Sequence, residues 1–230
     1  MVAARSASQP KRGITTVSGT DYGVTDMIER VSPVLERLDE RGRAALFTDA
    51  RTARTFTSTP VSDRELLEIW TLAKWGPTSA NMQPLRVLYV RPGVQRERLV
   101  RHMYERNQVR VDAAPAVAVL AWDTRFHHYV PEILPFRPEL QDMFEADAEW
   151  RAADGTFNAT LQAGYFILSV RAHGLAAGPM SGFDVDGVNA EFFPDGRWRA
   201  LLVVNIGHPG EGAWGARLTR LADGDVVKWL

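Results

Sequence analysis

Apolar residues along the chain follow two rhythms. One returns every three or four positions, as on one side of a helix; the other runs nearly unbroken over short stretches, as in a strand covered on both faces. The helical rhythm first appears at Ile28, Val31, Leu35 and Leu38 within Thr25–Arg43, where Pro33 starts or kinks the helix at Ser32–Pro33. It returns at Leu66, Ile69, Trp70 and Ala73, behind Ser62 and Glu65 at the spacing of a capping box, and stops at Gly76–Pro77. A further helix is expected from Val94 to Met103. After the irregular, proline-bearing stretch Phe126–Phe136, a polar helix is expected to end near Trp150. The longest helical pattern is Thr156–His173. Phe157, Leu161, Tyr165 and Leu168 line one side of it, and Ala163, Gly164, Ile167 and Val170 another, so this helix is expected to be central and buried.

The second rhythm marks strands at Leu85–Val90, Ala116–Trp122 and Leu201–Ile206. Few strands among much helix predict an α+β fold or a three-layer sandwich. We read residues 1–23 as a disordered tail and 24–230 as one domain. Gly207–Gly215 is a glycine-rich turn and Arg217–Leu230 a short extension.

Composition narrows the chemistry. The chain has 230 residues, enough for a full core, with 45% hydrophobic residues. Its formal net charge of −1 leaves no basic surface for nucleic acid, and no apolar run approaches a membrane span. Neither is expected as a partner. Met1–Gly19 is basic and Ser-rich but has no apolar core of a secretory signal, so a cytoplasmic protein is expected. With no cysteine there is no thiolate chemistry and no Cys-held metal. His127 and His128 are adjacent without a carboxylate at ligand spacing, so no metal site is expected; both are read as solvent-facing or as part of a lid. Glycine loops for phosphates or dinucleotides are missing, and Ser181 in Gly178-Pro-Met-Ser-Gly182 has the wrong spacing for a nucleophile elbow.

Separated clusters rich in Arg, Ser/Thr, Asn/Gln and Gly remain. Such side chains hold phosphate, hydroxyls and planar imide edges without reacting themselves, which suits a cofactor that carries the reaction. The clusters are Arg51-Thr-Ala-Arg54-Thr-Phe56, Gly76-Pro-Thr-Ser-Ala-Asn-Met-Gln-Pro84, Asn107 with Arg110, Gly178-Pro-Met-Ser-Gly-Phe-Asp184, and Arg217. In this order, from about Leu46 to Leu221, they resemble the nitroreductase family of FMN-dependent oxidoreductases, and most closely its malonic semialdehyde reductase-like branch.

The resemblance implies a nitroreductase-like three-layer α/β/α sandwich, built as an obligate homodimer with FMN at the interface. It implies that Arg51, Thr52, Arg54 and Arg217 hold the flavin phosphate. Ala50 stands where the family often has a first Arg, Gly215 stands where relatives often carry Lys, and Arg220 is a weaker substitute for Arg217. Pro77, Thr78, Ser79, Asn81 and Gln83 would reach the flavin from the other subunit. Asn107 and Arg110 would lie near its pyrimidine edge, and Pro179, Met180, Ser181 and Gly182 along one face. The implied reaction is ping-pong hydride transfer through the flavin N5 from NADH or NADPH, with no catalytic side chain. The acceptor is a small carbonyl such as malonic semialdehyde. A nitroaromatic, quinone, enone or biosynthetic acceptor remains open, as does a flavin-binding protein without turnover. Thr124–Trp150 departs most from the family; its His127, His128, Tyr129, Phe136 and Phe144 are candidates for a substrate lid.

Overall fold

The computed structural model describes residues 36–230. The expected tail over 1–23 and most of the helix expected over Thr25–Arg43 lie outside the described residues. Leu38–Leu230 is one unit. Its elements run α1 (Glu40–Arg43), α2 (Asp63–Ala73), β1 (Leu85–Val90), α3 (Val94–Arg101), α4 (Glu105–Ala113), β2 (Ala116–Asp123), α5 (Val130–Ile133), α6 (Glu139–Ala146), α7 (Ala148–Ala172), β3 (Ala176–Met180), α8 (Val185–Phe192), β4 (Trp198–Gly207) and α9 (Asp223–Val226).

The four strands form one antiparallel sheet in the order β1-β2-β4-β3. Strand β2 shows how the layers arise. Successive strand side chains point to opposite faces, and here both sets are apolar. Ala116, Ala118 and Leu120 pack with Leu66, Ile69, Ala159, Phe166 and Val170 of α2 and α7. Val117, Val119 and Ala121 pack with Leu99 of α3, Val111 of α4 and Val188 of α8. The result is the expected α/β/α sandwich. Ser62 caps α2 through the predicted box, accepting from the Glu65 amide while the Glu65 carboxylate accepts from the Ser62 amide at 2.7 Å. Among the described residues no helix is long and apolar enough to cross a membrane.

The structure corrects three expectations. The polar helix ends at Ala146, and Trp150 belongs to α7, because the Asp147 side chain accepts from the Trp150 amide and starts a new helix. Strand β3 was unforeseen. Ala-Ala-Gly-Pro-Met has little strand preference, but β4 pairs with it on one side, and the Ala53 amide donates to the Ala177 carbonyl on the other. Finally, α7 is central, but its bulky stripe is outside. Phe157, Leu161 and Tyr165 are 67%, 40% and 39% exposed. The buried side carries Asn158, Ala159, Gln162, Ala163, Phe166 and Ser169. Ala159 and Ala163 let the helix approach the sheet while Phe166 fills the space between them, and Gln162 accepts from the Leu85 amide at 3.0 Å.

Candidate functional site

The segment Arg51–Phe56 is extended and tied on both sides. Ala53 donates to Ala177, Arg54 donates to the Ala213 carbonyl at 3.0 Å, and Phe56 bridges to Pro209. Ala53 faces inward, whereas Arg51, Thr52 and Arg54 are exposed. They open into a cleft of about 320 Å³ lined by Arg51, Thr52, Arg54, Arg110, Arg217 and Arg220, with Ala50 and Gly215–Leu218 completing the wall. Residues from three separate stretches thus converge, and among the described residues no carboxylate lines the cleft. None of the five guanidinium groups forms an ion pair among the described residues. Arg51 donates to the Gly215 carbonyl at 2.9 Å, and Arg217 to the Thr48 and Ala50 carbonyls. Concentrated positive charge without internal compensation suits an anion such as a phosphate, which carries about −1.5 to −2 and accepts several charge-assisted hydrogen bonds.

The Arg54 guanidinium occupies the space beside Gly215: a Cβ there would lie 2.5–2.6 Å from it, so a side chain at 215 would displace the end of Arg54. Arg220, ranked behind Arg217 on sequence, lines the same cleft.

Asn107 and Arg110 sit one turn apart on α4. The Asn107 amide donates to the Gly182 carbonyl at 2.9 Å, and a Cβ at Gly182 would crowd that amide at 2.7 Å. The Arg110 carbonyl accepts from buried Asn205 of β4 at 2.8 Å, which anchors α4 beside the cleft. Pro179 and Met180 are half-buried at the end of β3, Ser181 is exposed, and Gly182 turns toward Met103–Phe183, a further bridge. Four of the five motifs therefore meet in one region: 51–54, 107–110, 178–182 and 217.

The fifth, 76–84, stands apart; none of Pro77–Gln83 lines the arginine cleft. Its polar groups close on one another. Gln83 donates to Asn81 at 3.0 Å, the Gln83 amide donates to the Thr78 hydroxyl at 3.2 Å, and Asn81 donates to the Ile133 carbonyl at 3.1 Å. The Ser79 amide donates to buried Asn158 at 2.7 Å. Ala80, Asn81 and Gln83 all have positive φ (47°, 56° and 45°), a conformation costing about 1–2 kcal/mol for a side chain such as alanine. Strain held by surrounding bonds is characteristic of functional loops.

The expected lid residues are not one surface. His127 and Phe144 are buried, which corrects their reading as solvent-facing or open lid positions. They pack beside Met82, Phe126 and Val130, and Phe144 stacks on Trp150 at 4.1 Å. Tyr129 is half-exposed and its hydroxyl accepts from Arg197 at 3.1 Å; His128 and Phe136 are exposed. The carboxylate missing from the local sequence comes from α6: Glu145 lies 2.6 Å from His127 Nε2 and 3.6 Å from His128 Nε2. Burial pushes the His127 imidazole below its ordinary range, and the hydrogen bond to Glu145 offsets this only in part.

Asn158, Asn205 and Asp123 were not singled out in the sequence. Asn158 carried a readable signal, an amide four positions before Gln162 and so on the same side of the helix. Asp123 is fully buried between Arg86, at 2.8 Å, and Arg197, at 3.2 Å. Burial alone would raise its carboxyl. Hydrogen bonds from Arg197 and the Arg125 amide, with the charge of Arg86, outweigh that and hold it below the ordinary value.

The nitroreductase family profile matches residues 48–208. A Streptomyces coelicolor protein provisionally named NADH dehydrogenase/NAD(P)H nitroreductase is 53% identical over 199 residues, covering 86% of this chain and 98% of its own length. A Streptomyces griseus protein of the same provisional name is 47% identical, covering 83% and 96%. Among solved structures, a provisionally named nitroreductase from Exiguobacterium sibiricum in complex with FMN superposes with a TM-score of 0.72 at 24% identity, covering 80% of this chain and 95% of its own. The enone reductase CLA-ER of gut-bacterial fatty acid saturation gives 0.67 at 18%, covering 81% and 97%. With the family profile spanning most of the domain and relatives near half identity, the chain belongs to the nitroreductase family.

Proposed function

We propose that the chain is an FMN-dependent NAD(P)H oxidoreductase whose flavin phosphate lies in the arginine cleft. The observation that carries this reading is the convergence of Arg51, Arg54, Arg110, Arg217 and Arg220 on one cleft without a facing carboxylate among the described residues. The FMN complex of the Exiguobacterium protein and the names of the Streptomyces relatives support it. When bound, FMN supplies hydride transfer between a nicotinamide donor and an oxidised substrate. The chain's own work is binding and orientation. The guanidinium groups and the Thr52 hydroxyl hold the phosphate, Arg110 sets positive charge one turn beyond Asn107, and Gly182 permits close approach of backbone. No side chain is assigned a proton-transfer role.

The active unit we propose is a homodimer, with Pro77–Gln83 of one protomer completing the site of the other. Two features support this. The loop is strained and presented apart from the cleft in its own protomer. A stripe of Trp75, Phe157, Leu161 and Tyr165 is exposed beside it, and Gly76 packs directly on the Tyr165 ring. Exposed apolar side chains grouped this way mark an association surface.

For the acceptor, a nitro compound such as a nitroaromatic is favoured by the name of the 53%-identical relative. Malonic semialdehyde is the second reading, favoured by the forms GPTSAN at 76–81 and GPMSGFD at 178–184. Purified protein should be yellow and bleach with NAD(P)H under anaerobic conditions. Colourless protein would overturn the cofactor assignment, and yellow protein that NAD(P)H fails to bleach would overturn the catalytic one. NAD(P)H oxidation with a nitroaromatic against malonic semialdehyde then separates the two acceptors.

A further inference from the structure

His127, His128 and Glu145 lie outside the arginine cleft, and the flavin reading gives them no task. Their ligand-capable atoms all fall within 4.8 Å of one another. His127 and His128 follow β2 on the short 3-10 turn Phe126–Tyr129, and Glu145 comes from the last turn of α6. The two imidazole rings stand nearly at right angles, with centroids 4.5 Å apart, so both Nε2 atoms reach the same carboxylate. Beyond hydrogen bonding, the arrangement is that of two imidazoles and one carboxylate around a common point.

We propose that His127, His128 and Glu145 form a binding site for a divalent transition-metal ion of the zinc type, with its remaining coordination position open to solvent. Tetrahedral zinc holds nitrogen and oxygen donors at about 2.0–2.1 Å, which places donors about 3.4 Å apart. The separation between His128 and Glu145, 3.6 Å, already matches. Between His127 and Glu145 the 2.6 Å contact has to open by under 1 Å, a rotation available to Glu145, whose side chain is 64% exposed. His127 is the fixed partner, 1% exposed and walled by Phe126 and Phe144. His128 and Glu145 face solvent and give the ion its path in.

The donor set also sets the selectivity. Imidazole nitrogens favour zinc, cobalt, nickel and copper, whereas magnesium and calcium require oxygen donors throughout. Arg151 lies 3.8 Å from the Glu145 carboxylate. The same Nη1 donates to the Phe144 carbonyl at 2.7 Å, so an ion has to draw the exposed Glu145 carboxylate away from this longer ion-pair contact. The site adjoins the 76–84 loop. Met82 is packed with Phe126 and Phe144, and Asn81 is tied to Ile133. A bound ion would join α6 to the turn after β2 and brace the support of that loop.

The test is titration of untagged, full-length, metal-free protein with Co²⁺, read by the visible bands of tetrahedral cobalt, followed by displacement with Zn²⁺. We expect one saturable equivalent per chain, displaced by Zn²⁺ and unaffected by Mg²⁺. His128→Ala and Glu145→Gln, both at solvent-facing positions, should weaken Co²⁺ binding at least tenfold. Both variants should keep the parent's far-ultraviolet circular dichroism and its flavin content. No saturable cobalt band in the parent protein would overturn the proposal. So would undiminished affinity in both variants, which would place the ion elsewhere, such as His102 and Glu191. X-ray absorption of the zinc complex supplies an independent readout, because two imidazole shells are required; their absence would overturn it as well.

Discussion

The arginine cleft and the 76–84 loop are both built from polar side chains at fixed spacing, yet the protomer treats them in opposite ways. In the cleft, side chains from three stretches converge and keep their charges uncompensated. In the loop, Thr78, Asn81 and Gln83 spend their hydrogen bonds on each other and on nearby backbone, holding three left-handed residues in place. Unused charge marks a place where a ligand arrives. Internally satisfied strain marks a rigid surface presented to something else. On this reading the cleft's charge is set by its own protomer's arginines, and the loop acts on the site of a second protomer.

The largest expected effect falls on the cleft. Each charge-assisted hydrogen bond is worth about 1.5–3 kcal/mol. Arg51→Ala with Arg54→Ala should therefore weaken FMN binding by about 3–6 kcal/mol, a hundredfold or more in Kd. Flavin fluorescence quenching measures this, with melting temperature as the control for folding. Parent-like affinity in the double variant would remove the phosphate from this cleft.

Next comes the exposed face of α7. Burying a large apolar side chain contributes about 1.5–3 kcal/mol, so Phe157→Glu with Leu161→Glu should convert a dimer to monomer in sedimentation velocity. FMN retention should fall with it, because the monomer keeps the cleft but lacks the partner's loop. A monomer that keeps its flavin at parent affinity would break the contrast, showing the cleft sufficient alone.

The same contrast explains what was legible in the sequence. Leu85–Val90, Ala116–Trp122 and the Ser62–Glu65 cap were readable because local pattern and tertiary role agree. Strand β3 was not, since Ala-Ala-Gly-Pro-Met takes its conformation from the partners on either side. The large apolar stripe Phe157, Leu161 and Tyr165 of α7 is outside, while the sheet side takes Ala159, Ala163 and Phe166. At the site, the ordered motifs pointed to Arg51, Arg54, Arg110 and Arg217, which the fold gathers. Glu145 beside His127, and Asp123 between two arginines, depend on long-range chain crossings that no local spacing records.

Asp123 tests the loop side alone. Its amide donates to the Pro84 carbonyl, and its carboxylate holds Arg86, which in turn donates to the Gln83 carbonyl at 2.9 Å. Removing one partner of a fully buried pair costs about 3–5 kcal/mol. Since Arg197 is 39% exposed, Asp123→Asn should cost less, about 2 kcal/mol, while the cleft's arginines stay in place. The carboxyl titrates below its ordinary value when folded, so its contribution is complete above the unfolded value of about 3.9. That contribution is lost as pH falls through the folded value. Below about pH 4 the melting temperature of the parent should therefore approach that of the variant, whereas near neutrality the two should differ by several degrees. Parallel curves across the acid range would show that the carboxylate contributes nothing there.

The smallest effect is the most specific to the loop. Ala80 has φ of 47°, where a Cβ costs about 1–2 kcal/mol and glycine pays nothing sterically. Glycine also gains freedom in the unfolded chain, which costs about 0.5–1 kcal/mol in the other direction. Ala80→Gly should therefore stabilise the protein by about 0.5 kcal/mol, or about 1–2 °C in Tm. The loop would be looser, because glycine opens backbone conformations that the Cβ of alanine excludes. If the strain serves a surface that meets a second protomer, the variant should melt slightly higher yet hold FMN less tightly, with the arginine cleft untouched. A variant both more stable and equal to the parent in flavin affinity would mean that the left-handed turn serves only the path of the chain from α2 into β1.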